Sequence, residues 1–333
     1  MKAYHPFATT LIAGLALLQP LSYAAAEDNQ PLKISSPQAV HGTQSVVIGA
    51  FNIGFIFQSV DNTKATGGMI GAFGGTTKAK SVLEGVTPAM MQAITDAAYA
   101  DFKAQLEAKG FTVADSAPMF SSAAFARVKP VASPYDANVQ LDKKSTGKSS
   151  YYKPSAIPGL VMLPGDVTPS GFSGMGMAMS AGNTQYGMSQ HAKATGQAVI
   201  DVVYLIDFSD AKRPGAFSLG GGIQVTSGMS VVDDFSKLNL VTPEGKTATI
   251  TLKQPVAVEG DFAQMQDTTK GAGVQKAMNI LGGFAAMRGM GGMKFGKTKT
   301  FTFTARPGVY EQGAVKAASL ANAKLIDQLA ALR

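Results

Sequence analysis

One segment of the chain matches the phosphate loop of nucleotide-binding proteins. Gly291–Thr298 reads GGMKFGKT and fits G-x-x-x-x-G-K-[ST]. In a nucleotide site this loop follows a strand and opens a helix, so that backbone N–H groups and the helix dipole converge on the phosphates. Here the residues that follow, KTKTFTFTA, alternate as a strand does. We therefore predict that the chain binds no nucleotide and needs no cofactor.

Two other segments match the S-x-x-K pattern of serine acylases, namely Ser145–Lys148 and Ser209–Lys212. In those enzymes the serine starts a helix, the lysine lies one turn further on, and partner motifs complete the site. Both matches fall in turn-like stretches, and the partner motifs are missing from the sequence. Gly171–Met175 also lacks the final glycine of a G-x-S-x-G nucleophile elbow. No serine acylase or hydrolase site is predicted.

Metal-binding and acid-base residues are scarce. The chain has no cysteine and three histidines, and no HExxH spacing occurs. We expect His191 to lie in an exposed loop. Asp201 and Asp207 are predicted on one strand face about 20 Å apart, too far to act on one bond, and we expect both to be solvated. We predict no catalytic, cofactor-binding or metal site, and we favour a protein that is not an enzyme.

Segments rich in Gly and Met are the first candidates for partner contacts. They span residues 67–75, 171–182 and 280–296. Methionine is flexible and glycine permits close backbone approach, so these segments could repack against a partner, a membrane or a like chain. Adaptable packing in the protein core is the alternative. The candidate contact residues are Met175, Met177, Met179, Met287, Met290 and Met293.

A basic loop is the second candidate contact. Lys143, Lys144 and Lys148 precede Tyr151 and Tyr152, and together they could meet an anionic surface. A solvated loop is the alternative. The whole chain carries a net charge of +7 without a dense arginine block, so we expect an anionic polymer or an envelope protein as partner and no nucleic acid.

The N-terminal residues 1–26 are predicted to be a secretory signal peptide. A short basic start precedes the apolar run FATTLIAGLALL, Pro20 follows, and Ser22 to Ala26 supplies small residues for cleavage. The apolar run is too short for a transmembrane helix. We therefore expect an exported protein, periplasmic or associated with the outer membrane or cell surface.

The elements of the first half indicate a strand-helix-strand unit. Residues 27–44 read as an extended lead-in, and residues 45–128 form the unit itself. Ser45–Phe57 is apolar on both faces, as in a strand covered on both sides. After a predicted loop at 61–80, Thr87-Pro88 opens a helix with one apolar stripe. Residues 111–114 follow as a short strand.

The second half is predicted to mix strands with a closing helix. Residues 129–158, rich in Pro, Ser and Lys, read as a loop. In the region 159–333 we expect strands at 159–163, 197–208, 217–231 and 299–304, a hairpin over 237–253, and a C-terminal helix. The predicted fold class is α+β or mixed α/β, with mostly antiparallel strands and the C-terminal helix packed on the sheet.

The order of these elements resembles the periplasmic α/β domain of the curli-secretion lipoprotein group. The strand VVIGAFNIGFIF, the helix end LEAKGFTVAD and the later strand AVIDVVYLIDFSDAKRPGA carry the resemblance. Leu205-Ile206-Asp207 matches the L-x-D ending of that later strand in the group. The chain departs from the group because it lacks a lipobox cysteine and evident pore-forming hairpins. The resemblance therefore implies neither a lipid anchor nor a channel.

These observations favour a non-enzymatic cell-envelope protein that acts through protein or polymer contacts in envelope assembly or secretion. One alternative is an envelope hydrolase or a periplasmic protein that binds a small ligand. Another is a membrane-associated, self-assembling protein that uses the Gly/Met segments and forms homo-oligomers. A fold alone does not decide among them, because one fold hosts many functions.

The phosphate-loop match yields a first prediction. We expect Lys297→Ala to leave the melting temperature unchanged and nucleotide binding undetectable, because the strand that follows the loop cannot supply a helix N-terminus. Isothermal titration of wild type and variant with ATP and Mg²⁺ checks this. A measurable affinity in the wild type that the variant loses would contradict it.

Overall fold

The computed structural model describes residues 30–64, 76–167, 175–212, 224–269 and 298–333. The predicted signal peptide, the Gly/Met segments at 67–75 and 280–296, and residues 171–174 lie outside these ranges. From Pro31 onward the chain forms a single compact unit.

Within these ranges the chain forms 13 strands and four α-helices. The strands are β1 (Leu32–Ser35), β2 (Ser45–Lys64), β3 (Thr76–Glu84), β4 (Thr112–Ala114), β5 (Tyr135–Asp142), β6 (Ser145–Tyr152), β7 (Ala198–Lys212), β8 (Gln224–Val231), β9 (Lys237–Val241), β10 (Thr247–Leu252), β11 (Val256–Val258), β12 (Ala263–Asp267) and β13 (Thr298–Ala305). The helices are α1 (Pro88–Ala108), α2 (Ala117–Ser121), α3 (Met175–Thr195) and α4 (Val309–Leu332).

The α+β prediction is confirmed. Most strand pairs are antiparallel, and the C-terminal helix α4 packs on the sheet. The strand-helix-strand unit is β2, α1 and β4, with β4 pairing parallel to β2. Helix α1 begins as expected, because the Met90 amide donates to the Thr87 hydroxyl at 3.2 Å and Pro88 occupies the first helical position.

The central pair of the sheet is β2 with β7, which run parallel. Both faces of this pair are buried, which explains the apolar sequence of Ser45–Phe57. On one face, the helix face, Phe51 packs against Phe102 of α1 and Tyr204 of β7, with ring centroids 5.4 and 5.6 Å apart.

The opposite face of the β2–β7 pair is covered by α3 and the short α2. Gly49, which lies at a β-bulge, lets the two helices approach β2, since a Cβ there would lie 3.0 Å from Met119 of α2 and 3.1 Å from Met188 of α3. Residues 157–167 cover the next part of this face, where the Asn52 amide donates to the Val161 carbonyl at 2.8 Å.

Beyond Phe57 the strands change partners. A second bulge separates Ile56 from Gln58, and the C-terminal part of β2 then pairs with β3 on one side and β6 on the other. The C-terminal part of β7 pairs with β8 instead of β2. Six strands in the order β12-β13-β3-β2-β6-β5 thus form the upper part of the sheet.

Three of the predicted loops and strands were wrong. The predicted loop at 129–158 contains the antiparallel hairpin β5–β6. The predicted loop at 61–80 holds the end of β2 and the start of β3. Residues 159–163 are buried but form no regular strand, with a single bridge between Val131 and Leu160.

The prediction for His191 was also wrong, because this residue lies in α3 and only 6% of it is exposed. Gly187 allows this helix to pack closely, since a Cβ there would lie 2.8 Å from the Val128 side chain. No helix was predicted over 175–195, because this segment is rich in glycine and methionine. Met188 and Ala192 supply its buried side.

A buried amide joins the two helices of the helix face to the sheet. Asn322 of α4 accepts a hydrogen bond from the Tyr204 hydroxyl at 2.7 Å. Its Nδ2 donates to the Ala98 carbonyl at 3.0 Å and to the Asp101 carboxylate at 2.7 Å. Asn322 interrupts the apolar stripe of the predicted helix, and these contacts account for it.

We expect Asn322→Ala to lower the free energy of unfolding by about 2–4 kcal/mol, because it leaves Tyr204, the Ala98 carbonyl and Asp101 without their buried partner. Chemical denaturation measures the change. The matched control is Asn183→Ala at an exposed position of α3, where alanine should be neutral or slightly stabilising. Equal effects of the two substitutions would contradict the role of Asn322.

Candidate interaction surface on the upper sheet

Strict alternation divides the side chains of the upper sheet into two sets. Along β6 the residues from Ser145 to Ser150 alternate between buried and exposed or half-exposed, and β3 does the same from Lys78 to Glu84. Directly opposed residues on paired strands share a face. The register of β2 with β3 and β6 therefore shows which side chains lie together.

One face of the upper sheet is open to solvent and polar, and we call it the outer polar face. It continues the helix face beyond the bulge at Phe57. Cross-strand rows build it, such as Lys80 opposite Val60 opposite Thr146. Its exposed or half-exposed members on β2, β3, β5 and β6 are Gln58, Val60, Asn62, Lys78, Lys80, Val82, Glu84, Asp136, Asn138, Gln140, Thr146, Lys148 and Ser150.

A groove of about 350 Å³ opens on this face across β2, β5 and β6. Amide, hydroxyl and ammonium side chains line most of it, together with two valines and a glycine. The lining residues are Gln58, Val60, Asn138, Val139, Gln140, Thr146, Gly147 and Lys148. Such side chains donate and accept hydrogen bonds, but the lining holds no carboxylate or histidine that could transfer a proton. The groove is therefore suited to binding rather than to acid-base chemistry.

The outer polar face carries more positive than negative charge. Lys78, Lys80 and Lys148 lie on it, and the carboxylates that share it on β3 and β5 are Glu84 and Asp136. The Asp136 carboxylate accepts a hydrogen bond from Ser150. Two more exposed lysines, Lys143 and Lys144, form the adjoining β5–β6 turn, so the excess of positive charge is greatest there.

The β5–β6 turn is fixed to the end of β2. The Asn62 amide N–H donates to the Lys144 carbonyl at 2.8 Å, and its side chain donates to the same carbonyl at 3.1 Å. Strands β2, β5, β7 and β12 all finish at this end of the sheet, as their pairing directions require. We call it the loop end.

The predicted contact residues separate into three groups. Lys143, Lys144 and Lys148 are exposed at or near the loop end, and Met179 is 68% exposed on α3. The side chains of Met175 and Met177, and all of Met287, Met290 and Met293, lie outside the described residues.

Tyr151 and Tyr152 form the third group, and the prediction that they contact a partner was wrong because both are buried. The Tyr151 ring lies over Gly54, where an added Cβ would be 2.7 Å from the ring. Tyr152 packs edge-on against Phe55, with ring centroids 5.8 Å apart. Two consecutive residues of a strand face opposite sides, and here both sides are part of the core.

The enzyme-like motifs do not take the conformations that their chemistry requires. Ser145–Lys148 lies in strand β6, and Ser209–Lys212 lies in strand β7, so neither serine starts a helix. Thr298 begins strand β13, as the alternation of KTKTFTFTA predicted, although residues 291–297 lie outside the described ranges. Among the described residues, neither the S-x-x-K matches nor the segment that follows the phosphate-loop match forms the helix that these motifs require.

Asp201 is buried instead of solvated, which corrects the prediction for that residue. Its carboxyl group accepts a hydrogen bond from the Asn239 side chain at 2.8 Å. The nearby Asp166 carboxylate forms an ion pair with Lys237 at 3.3 Å, and the Asp166 side chain is fully buried. Burial, with repulsion from Asp166, raises the pKa of Asp201 well above its usual range. This cluster, which sequence reasoning missed, ties residues 157–167 to β7 and β9.

Asp207 is partly buried and does not form a pair with Asp201. Its carboxylate accepts hydrogen bonds from the Phe208 amide at 2.7 Å and the Ser209 amide at 3.1 Å. Burial raises the pKa of Asp207 to about 7, and repulsion from Asp61 adds to the shift. Asp61 lies on the buried side of the upper sheet, beside Ser59.

Over the parts of the chain that the structure describes, no cluster of three or more acidic or histidine side chains could hold a metal ion. In those same parts, no helix has both the length and the apolar character needed to cross a bilayer. Comparisons with protein-family models, curated proteins and solved structures found no match for this chain.

The raised pKa of Asp207 predicts a pH-dependent stability. The carboxyl group has a pKa of about 7 when folded against 3.8 ordinarily, so the folded state holds its proton more tightly. The resulting stabilisation is complete below about pH 4 and is lost as the pH rises to about 7. We expect Asp207→Asn to reduce the fall in unfolding free energy between pH 4 and pH 8 by roughly 1–3 kcal/mol.

Urea denaturation at a series of pH values measures this difference. Asp327→Asn is the control, because the Asp327 side chain is 59% exposed on α4. If Asp207→Asn follows the same pH profile as the wild type, Asp207 does not hold a proton in the folded state.

Proposed function

We propose that this chain is a non-enzymatic, exported cell-envelope protein that acts through contacts with a protein or polymer in envelope assembly or secretion. The observation that carries the proposal is the outer polar face. It is a solvent-exposed sheet surface with a groove and a surplus of lysines, whereas both faces of the central β2–β7 pair are buried. A periplasmic or outer-membrane-associated location is part of the proposal, supported by the signal-like pattern of residues 1–26.

The construction of this face favours contact over catalysis. The side opposite the groove is buried and consists mainly of small residues, including Ser59, Ser81, Ser145 and Ser149. A rigid sheet therefore holds the exposed lysines and amides at fixed spacings, which lowers the entropy cost of binding a partner. The carboxyl groups with raised pKa values, Asp166, Asp201, Asp207 and Asp233, are not among the residues that line the groove.

A second candidate function is self-assembly at a membrane. The strand pairs β2–β3, β7–β8 and β12–β13 are each joined at the loop end. The sequences that join them, 65–75, 213–223 and 270–297, contain no Asp or Glu and are rich in Gly, with Met and Phe. Sequences of this apolar and basic composition are suited to contact with a membrane or with like chains.

Neutralising the lysines of the outer polar face tests the contact function. We expect Lys78→Gln/Lys80→Gln/Lys148→Gln to shift the protein from the envelope fraction to the soluble periplasmic fraction, because the charge that attracts the partner is removed. The control is Lys33→Gln/Lys316→Gln/Lys324→Gln, which removes the same charge at exposed positions of β1 and α4.

Cell fractionation and native mass spectrometry of the purified protein, with and without mild detergent, provide the readout. Release of the face variant but not of the control supports the contact function. An unchanged distribution of the face variant contradicts it. Oligomers that need detergent and form in all three proteins would favour the second candidate instead.

A further inference from the structure

The side chains of the groove indicate which chemical class of partner would bind there. This inference rests on the proposed contact function. Five polar side chains from three strands line the groove: Gln58, Asn138, Gln140, Thr146 and Lys148. The three amides and the hydroxyl both donate and accept hydrogen bonds, whereas the ammonium only donates. A matching ligand therefore combines hydroxyl groups with anionic groups.

The lysines extend this pattern beyond the groove. Lys80 and Lys148 lie in adjacent rows of the outer polar face, with β2 between their strands, so roughly 10 Å separates their strands. Lys78 lies two residues from Lys80 along β3 and faces the same side. A ligand with one negative charge would meet only one of these cations. A linear chain with repeated negative charges could meet all three.

Other polymers and surfaces fit this face less well. The lining residues include no aromatic side chain and no arginine, so nothing there stacks on nucleic-acid bases. Valine is the only apolar type with a side chain in the lining, and Val60 is half-buried, so the groove offers nothing to insert into a bilayer.

We infer that the groove binds a linear acidic polysaccharide, with sugar hydroxyls on Gln58, Asn138 and Thr146 and sugar carboxylates on Lys148 and the β3 lysines. Hydrogen bonds from ammonium to carboxylate are stronger than those between neutral groups, so the groove should bind a charged polymer more tightly than a neutral one. The uncharged amides select for a polymer that carries hydroxyl groups. Each of these contacts is weak alone. Because the polymer repeats its hydroxyl and carboxylate groups, one polymer chain can make several of the contacts at once.

Polygalacturonate, a polymer of uronic acid, is the probe, and neutral dextran and phosphatidylglycerol vesicles are the comparisons. Biolayer interferometry with the purified wild-type protein should show binding to polygalacturonate that weakens with added salt, and none to dextran. Lys148→Gln should weaken that binding at least about tenfold. The control Lys33→Gln/Lys316→Gln/Lys324→Gln should bind like the wild type.

Asn138→Ala separates recognition from simple charge attraction, because it keeps every charge and removes one exposed amide. A severalfold loss of polygalacturonate binding supports the inference. Unchanged binding in both Asn138→Ala and Lys148→Gln overturns it, as does stronger binding to the vesicles than to polygalacturonate. Thermal melts of all variants verify that each is folded.

The two proposals can fail separately. If polygalacturonate does not bind but the face lysine variant still leaves the envelope fraction, the polysaccharide inference fails and the contact function stands. If polygalacturonate binds at the groove but fractionation is unchanged, the inference stands and the role of the face in the envelope fails.

Discussion

Strand β2 is hydrogen-bonded on both sides along much of its 20 residues, and the rest of the structure depends on that pairing. Its first part fixes β7 on one side and β4 on the other, and its last part fixes β3 and β6. Because side chains alternate along a strand, the register of β2 decides which residues the helices cover and which remain in water. Helix face and outer polar face are two stretches of one surface.

The spacing of apolar residues allowed the strands and helices outside the upper part of the sheet to be predicted in large part. Ser45–Phe57, the α1 stripe of Met91 to Leu106 and the final helix each bury apolar side chains at the spacing of their element. Much of the upper part of the sheet was not predicted, because its buried side consists mainly of serine, glycine, alanine and one aspartate. Ser145 and Ser149 alternate with Thr146 and Lys148, so no hydrophobic period marks β6 as a strand.

The candidate surface was therefore only partly predictable. Of its three lysines, only Lys148 was predicted as a contact from the sequence. Gln58, Lys78, Lys80 and Asn138 join it only through strand pairing between distant segments. The two tyrosines were misassigned since a polar neighbourhood, KSSYYK, suggested a loop, whereas tertiary packing buries both rings. The buried Asp166–Lys237 pair was invisible for the same reason, as its members are 71 positions apart in the chain.

The bulge at Phe57 shifts the phase of β2. Before it, odd-numbered residues such as Ile53 and Phe55 lie on the helix face; after it, the even-numbered Gln58 and Val60 lie on the continuation of that surface. Phe57 is thus the extra residue of this bulge and takes no part in the alternation of faces. Deletion of Phe57 would leave every other β2 side chain on its present face. Deletion of Ser59, with the bulge retained, would move each later β2 side chain between the outer polar face and the buried side. Length variation along this strand is confined to its two bulges, at Gly49 and Phe57.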